Sequence, residues 1–298
     1  MPVIEHWQLL TYAKAIAGDW EAKNLVGEFF APTVVVGGGQ FFYRDYKSGN
    51  AFRVVDTGRA LGGPAARLAM DIDDIAGITT ENALEAFIDD QERINNPLSI
   101  SQIQRRKVAD LTYTSLNNNL RKVLVLARSI TAVAPGPGGS GIWKTTQTED
   151  PILTVDNQCK AILDATGILP NKLYYDASSW LIFRNHPLVT GRIKVGISVI
   201  SPELAVSLFA FPMEIHIGGG QKYYEPVSGL GDVFIFRSDD DPSTDDASWM
   251  KTFIQQEGRF TNVRSYRDEN RSSDVYKLLF WQTIAITGSA LVRRLTIT

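Results

Sequence analysis

The chain has 298 residues, of which 44% are hydrophobic and 21% charged, with a formal net charge of -3. That composition excludes a disordered chain, and the charge excludes a strong generic pull toward nucleic acid or an anionic membrane. One cysteine, Cys159, excludes an internal disulfide, and no stretch is long and apolar enough to cross a bilayer, so no membrane association is expected.

The first residues lack the basic start and apolar run of a secretory signal. Trp7, Leu10, Ala13, Ile16 and Ala17 predict a short amphipathic helix. "VGEFFAPTVVV", from Val26, reads as the entry to a strand. Residues 34 to 70 carry glycines at 37, 38, 39, 49, 58, 62 and 63 around "QFFYRDY" and "NAFRVVD". They predict a long two-stranded ribbon with its tip near "KSGN". An isolated hairpin is marginal in water. Phe41, Phe42, Tyr43, Tyr46 and Phe52 give this one more apolar surface than two strands can hide.

The acidic stretch 71–92 ends in a segment expected to be a short helix capped by Thr79 or Thr80. After Pro97, Ser99 and Gln102 have capping-box spacing. Ile100, Ile103, Lys107, Val108, Leu111, Ser115, Leu116, Leu120, Val123, Leu124 and Ala127 then trace one helical face, predicting a helix over 99–128. Thirty helical residues would be about 45 Å long. "APGPGGSG" at 134–141 marks its end and a boundary or surface loop. Downstream, "DPILTVDNQCKAILDATG" reads as a capped helix closed by Gly167 and "NKLYYD" as a strand. "SSWLIFRNHP" and "SPELAVSLFA" are expected helices, "MEIHI" and "DVFIF" strands, and the end of the chain closing strands. Such alternation suggests an α/β or α+β domain.

Chemistry-bearing motifs are sparse. Gly37–Gly39 and Gly218–Gly220 are each followed by glutamine and aromatics, with no lysine and helix as a phosphate loop requires, so each reads as a hairpin or bulge. His6, His186 and His216 lack metal-ligand spacing. His186, before Pro187, suits a polar role at a helix end. Cys159 reads as a buried thiol. "SDDDPSTDD" gathers Asp239, Asp240, Asp241, Asp245 and Asp246; without the ordered spacing of a calcium loop it reads as a surface loop, with divalent-ion binding as the alternative. Arg105, Arg106 and Lys107 suit carboxylates of this chain or a neighbour. No cofactor or metal is expected. An enzyme would need a pocket gathering His186, Cys159 or the aspartates. Exposed aromatics and a rod-like helix point instead to assembly.

Several stretches resemble the major capsid proteins of tailed bacterial viruses, with their Hong Kong 97-type shell fold. The most specific is "AILDATGILPNKLYYDASSWLIFRNHPLVTGRIK". "VGEFFAPTVVV", "FRVVDTGRALGGPA", "LEAFIDDQERINNPLSISQIQRRKVADL", "SPELAVSLFAFPMEIHIGG" and the closing strands extend the resemblance over nearly the whole chain. It implies an α+β fold with an N-terminal arm over 1–30, an extended loop over 31–70 and a peripheral domain over 71–145 with the spine helix. An axial domain would follow over 146–256, with 257–298 returning as peripheral strands. The implied function is non-enzymatic: self-assembly into hexamers and pentamers of an icosahedral head around double-stranded DNA, bound without sequence specificity. Phe41, Phe42, Tyr43, Tyr46, Phe52, Arg59, Arg105 and Arg106 are the expected inter-subunit contacts; non-covalent locking or a cement protein is expected to hold the shell, with Lys47 the candidate should a covalent cross-link form. A separate scaffolding protein, a portal protein and a cement protein are the implied partners, with assembly in the host cytoplasm and residence in the virion. A cellular nanocompartment shell of the same fold is the alternative.

Overall fold

The computed structural model describes residues 4–23, 26–46, 58, 73–133, 143, 149–193, 200–218, 231–255 and 259–297. In chain order these form β1 (Ile4–Glu5), α1 (Trp7–Lys23), α2 (Val26–Phe30), β2 (Thr33–Val35), β3 (Gln40–Asp45), β4 (Asp73–Ile78) and β5 (Thr80–Asp89). Then come α3 (Asp90–Asn95), α4 (Ile100–Arg128), α5 (Pro151–Thr166), β6 (Lys172–Tyr175), α6 (Ala177–Asn185), α7 (Pro187–Thr190) and α8 (Pro202–Val206). The strands β7 (Glu214–Ile217), β8 (Gly231–Phe236), β9 (Met250–Ile254), β10 (Phe260–Asp268), β11 (Ser273–Ile286) and β12 (Val292–Ile297) complete the chain.

β11 organises the larger, six-stranded sheet. From Ser273 to Phe280 it pairs antiparallel with both β10 and β5. Farther along, Gln282–Ile286 pairs with β9, and β2 joins β9 in parallel. β1 extends the outer edge of β10. The second sheet has the order β12-β8-β6-β7, in which β6 and β7 are parallel. β3 and β4 form a separate antiparallel ribbon.

α4 behaves as its stripe dictates. Its N-terminus is closed by the Ser99 N–H, which donates to Gln102 Oε1 at 3.0 Å. Ile103, Val108, Leu111 and Leu116 pack with Leu278 and Phe280 of β11 and with Leu10 and Ala13 of α1. Leu120, Val123, Leu124 and Ala127 belong to a different core, built on Phe30, Phe234, Phe236 and Trp249. One rod is therefore rooted in two cores. A third core, around Cys159, Tyr175 and Phe183, fills the space between the second sheet and α5, α6 and α8.

Several expectations are corrected. The segment expected as a helix from Thr79 is strand β5, paired with β11 over ten residues. Leu84, Ala86 and Ile88 face the core while Ala83, Glu85 and Phe87 face out, and this alternation outweighs the helix propensity of Ala, Leu and Glu. "VGEFF", expected as a strand entry, is the short helix α2. Gly37–Gly39 are no hairpin turn: they carry the chain from β2 in one sheet to β3 in another, and Thr79 N–H donates to the Gly39 carbonyl at 2.9 Å. β3 pairs with β4; "NAFRVVD", expected as its partner strand, lies outside the described residues, as do most of the second glycine triplet and the 134–141 loop. The sheets also divide the chain differently from the expected domain limits. β9 runs in the six-stranded sheet and β12 in the second.

Two glycines have a packing reason. A Cβ at Gly77 would strike the Phe41 ring, and one at Gly218, the first of the second triplet, would strike the Tyr174 hydroxyl. At both places the far end of an aromatic side chain occupies the space a Cβ would need.

Candidate assembly surface

The ribbon does not stand free along its described length. Phe41 and Tyr43 lay their rings on Phe253 of β9, with centroids 4.5 and 5.2 Å apart. Phe41 is 8% exposed and Tyr46 7%, so both are covered by their own chain and are withdrawn from the expected contacts. The reason is the strand period: Phe41 and Tyr43 share the inner face, while Phe42 between them points out and is 70% exposed. Ile78, on the face shared with Phe42, is 60% exposed. Arg105 and Arg106 are exposed on the outer side of α4. Phe52, Arg59 and Lys47 lie outside the described residues.

Exposed apolar side chains also gather near both ends of α4. Ile94, Leu98 and Ile100 stand near its N-terminus. Near its C-terminus a groove of about 470 Å³ between α4 and β11 is lined by Val125, Leu126 and Ile284 together with Arg121 and Lys122. Periodicity on α4 locates the buried face from Ile103 onward; Ile100, expected on that face, is 46% exposed because it stands in the first turn, and Ile94, Leu98 and Val125 had no comparable signal.

Two buried charge groups escaped the sequence. Asp232, at the start of β8, has a side chain 1% exposed between two arginines. It accepts from Arg128 Nε at 2.9 Å and Arg294 Nε at 3.0 Å. Arg294 also donates to the Arg128 carbonyl at 2.6 Å, so the end of α4 is bolted to β8 and β12. Beside it, burial raises the Asp176 carboxyl, a shift that Arg128 opposes. The second group is Lys251, whose side chain is fully buried and whose Nζ lies 2.9 Å from Asp246 Oδ1. Burial lowers the Lys251 ammonium. Burial pushes the Asp246 carboxyl up, but hydrogen bonds from Ser248 and Lys251 pull it below the ordinary range.

The remaining chemistry-bearing residues are dispersed. His186 is buried, and its Nδ1 accepts from the Leu188 N–H at 3.3 Å, the helix-end role its position suggests. Cys159 sits 3.5 Å from Met213 Sδ, and burial pushes its thiol up to about 12, far from a nucleophile's range. His216 stacks between Phe29 and Tyr174. Among the described residues no three His, Cys, Asp or Glu side chains are grouped to hold a metal ion.

Burial lowers both His186 and His216 below their ordinary value of 6.5. The unfolded chain therefore takes up these protons first. Stability is full above pH 6.5 and falls as pH drops toward the depressed folded values, by at most about 1.4 kcal/mol per pH unit for each group. Urea titrations of the native chain and His186→Asn, which keeps a helix-capping side chain, should show a shallower fall of stability with acid in the variant. An unchanged slope would assign the acid sensitivity elsewhere.

The described residues form an α+β chain with many exposed apolar residues, buried ionic joints and dispersed titratable groups, and its fold resembles those of solved phage-related and capsid structures. A phage-related protein from Bordetella bronchiseptica RB50 shares the fold at a TM-score of 0.70, with 21% identity over 99% of this chain and 97% of that one. The capsid of a native GTA particle matches at 0.56, with 12% identity over 92% of this chain and 90% of that one. The mature capsid of bacteriophage PhiM1 matches at 0.50, with 11% identity over 89% and 84%. At these identities the likeness is one of fold. No protein family and no curated protein matches the chain in sequence.

Proposed function

We propose that this chain is the structural subunit of an icosahedral virus head, self-assembling into hexamers and pentamers around double-stranded DNA. The observation that carries the reading is the likeness in fold, over nearly the full length of both chains, to the capsid of a native GTA particle. The surface supports it, since Phe42, Ile78, Ile94 and Val125 are each more than half exposed on rigid elements. A net charge of -3 suits a wall that must not hold packaged DNA.

In this reading the six-stranded sheet with α4 is the peripheral domain, and α4 its spine. The second sheet with α5, α6, α7 and α8 is the axial domain. Residues 1–30 are the N-terminal arm, and residues 31–70 the extended loop. Phe42, Arg105 and Arg106 face neighbouring copies. A separate scaffolding protein and a portal protein take part in assembly, and a cement protein is a further partner of the finished shell. The role is architectural and not catalytic.

Electron microscopy of the purified chain across salt and concentration, with and without scaffolding protein, should show closed particles or capsomers. Monomers and dimers under every condition would end the proposal. Phe42→Glu should lower particle yield about tenfold or more, since even 1.4 kcal/mol lost per contact is a factor of ten. Its thermal midpoint should stay near that of the native chain, because the ring is 70% exposed already.

A further inference from the structure

The acidic loop after β8 does more than cover surface. Asp246 Oδ1 accepts from the Ser243 N–H at 2.7 Å, and Asp246 Oδ2 from the Ser248 N–H at 3.0 Å. Lys251 reaches the same loop from below. Its Nζ bonds to the Asp246 carbonyl at 2.8 Å and to the Thr244 carbonyl at 3.4 Å, besides the Asp246 carboxylate. The loop's upper side then grips the end of β3. The Arg44 N–H donates to the Thr244 carbonyl at 3.3 Å, and Tyr46 Oη donates to the Asp245 carbonyl at 2.6 Å. Arg44 Nε stands 3.8 Å from Asp245 and 3.9 Å from Asp74 of β4, joining both ribbon strands to the loop. The Tyr46 N–H donates to the Thr287 carbonyl at 2.7 Å, and Thr287 Oγ1 donates to the Ser248 carbonyl at 2.6 Å, closing the circuit on the same loop.

We propose that residues 243–248 form an intramolecular latch, with the buried Lys251 ammonium as its internal cation, that holds the Arg44–Tyr46 end of the β3–β4 ribbon against the sheet. The loop's carboxylates thus serve this chain's own cations. Opening the latch frees the ribbon end while β5, β10 and β11 keep their ladder, because no latch bond touches those strands.

Hydrogen exchange of the full-length chain tests this without reference to shell formation, so it stands or falls apart from the proposed function. Lys251→Met keeps the apolar stem and removes the ammonium. It should speed exchange in residues 40–46 about tenfold while residues 273–280 stay within about twofold of native. Tyr46→Phe, which removes one latch bond and no buried charge, should shift residues 40–46 in the same direction by less. Unchanged exchange at 40–46 in both variants, or equal acceleration of both segments, would overturn the latch. So would slower exchange at 40–46 on adding millimolar calcium chloride to the native chain, since the aspartates would then be answering to an external ion.

Discussion

Asp232→Asn is expected to lower the unfolding free energy by about 3–5 kcal/mol, the usual cost of breaking a buried ion pair from one side. The carboxylate is 1% exposed, and its partners Arg128 and Arg294 are 16% and 12% exposed. Removing the negative charge leaves two guanidiniums facing each other with little water to screen them. The effect reaches beyond one contact, because Asp232 sits where α4 meets β8 and β12. Thr296 Oγ1 also donates to it at 3.3 Å. Guanidinium titration should show the midpoint fall with an unchanged slope. A loss under about 1 kcal/mol would mean that the arginines turn to solvent at no cost, and that the joint is dispensable.

Phe30→Ala is expected to cost a similar amount, about 3–5 kcal/mol, by a different route. Phe30 is fully buried at the centre of a ring cluster. Its centroid lies 4.6 Å from Tyr174, 5.2 Å from Phe236, 5.3 Å from Phe234 and 6.0 Å from Trp249. These partners come from β6, β8 and the entry to β9, all fixed by their own ladders, so they cannot collapse into the space. The short helix α2 is held besides by Phe29, whose ring meets Phe236 at 5.5 Å, and by Glu28, which accepts from Arg259 Nη2 at 3.1 Å. Phe30→Leu refills part of the volume and should lose clearly less. Equal losses in the two variants would show that ring geometry, and not cavity volume, sets the cost.

What could be read from sequence follows the range of the interaction involved. α4 was legible because its stripe and capping box are local, and α5 because Asp150 and Gly167 mark its two ends. β6 and β8 declared themselves as short apolar runs. β5 was not legible as a strand. Its alternation is muted by exposed Ala83 and Phe87, and its helix-forming residues lose to a pairing whose partner lies far along the chain. The ribbon aromatics were recognised as a group, but their division into a covered and an open face depends on β9 lying beneath them. Asp232 was missed for the same reason: Arg128 is 104 residues away and Arg294 is 62. A lone carboxylate opening the run "GDVFIF" is the one local hint. The aspartate cluster drew attention as a destination for ions, whereas the cation that organises it is Lys251, hidden inside "MKTFI".

The pairing of β1 with β10 and of β2 with β9 places Ile4 beside Ser265 and Val34 beside Phe253. Strands made earlier by the ribosome must wait for partners made far later in the chain. Such distant closures are slow and come late. In a nascent chain this margin of the sheet therefore stays open until residues 250–268 have left the ribosome, and β1 and β2 have nothing to pair with before then.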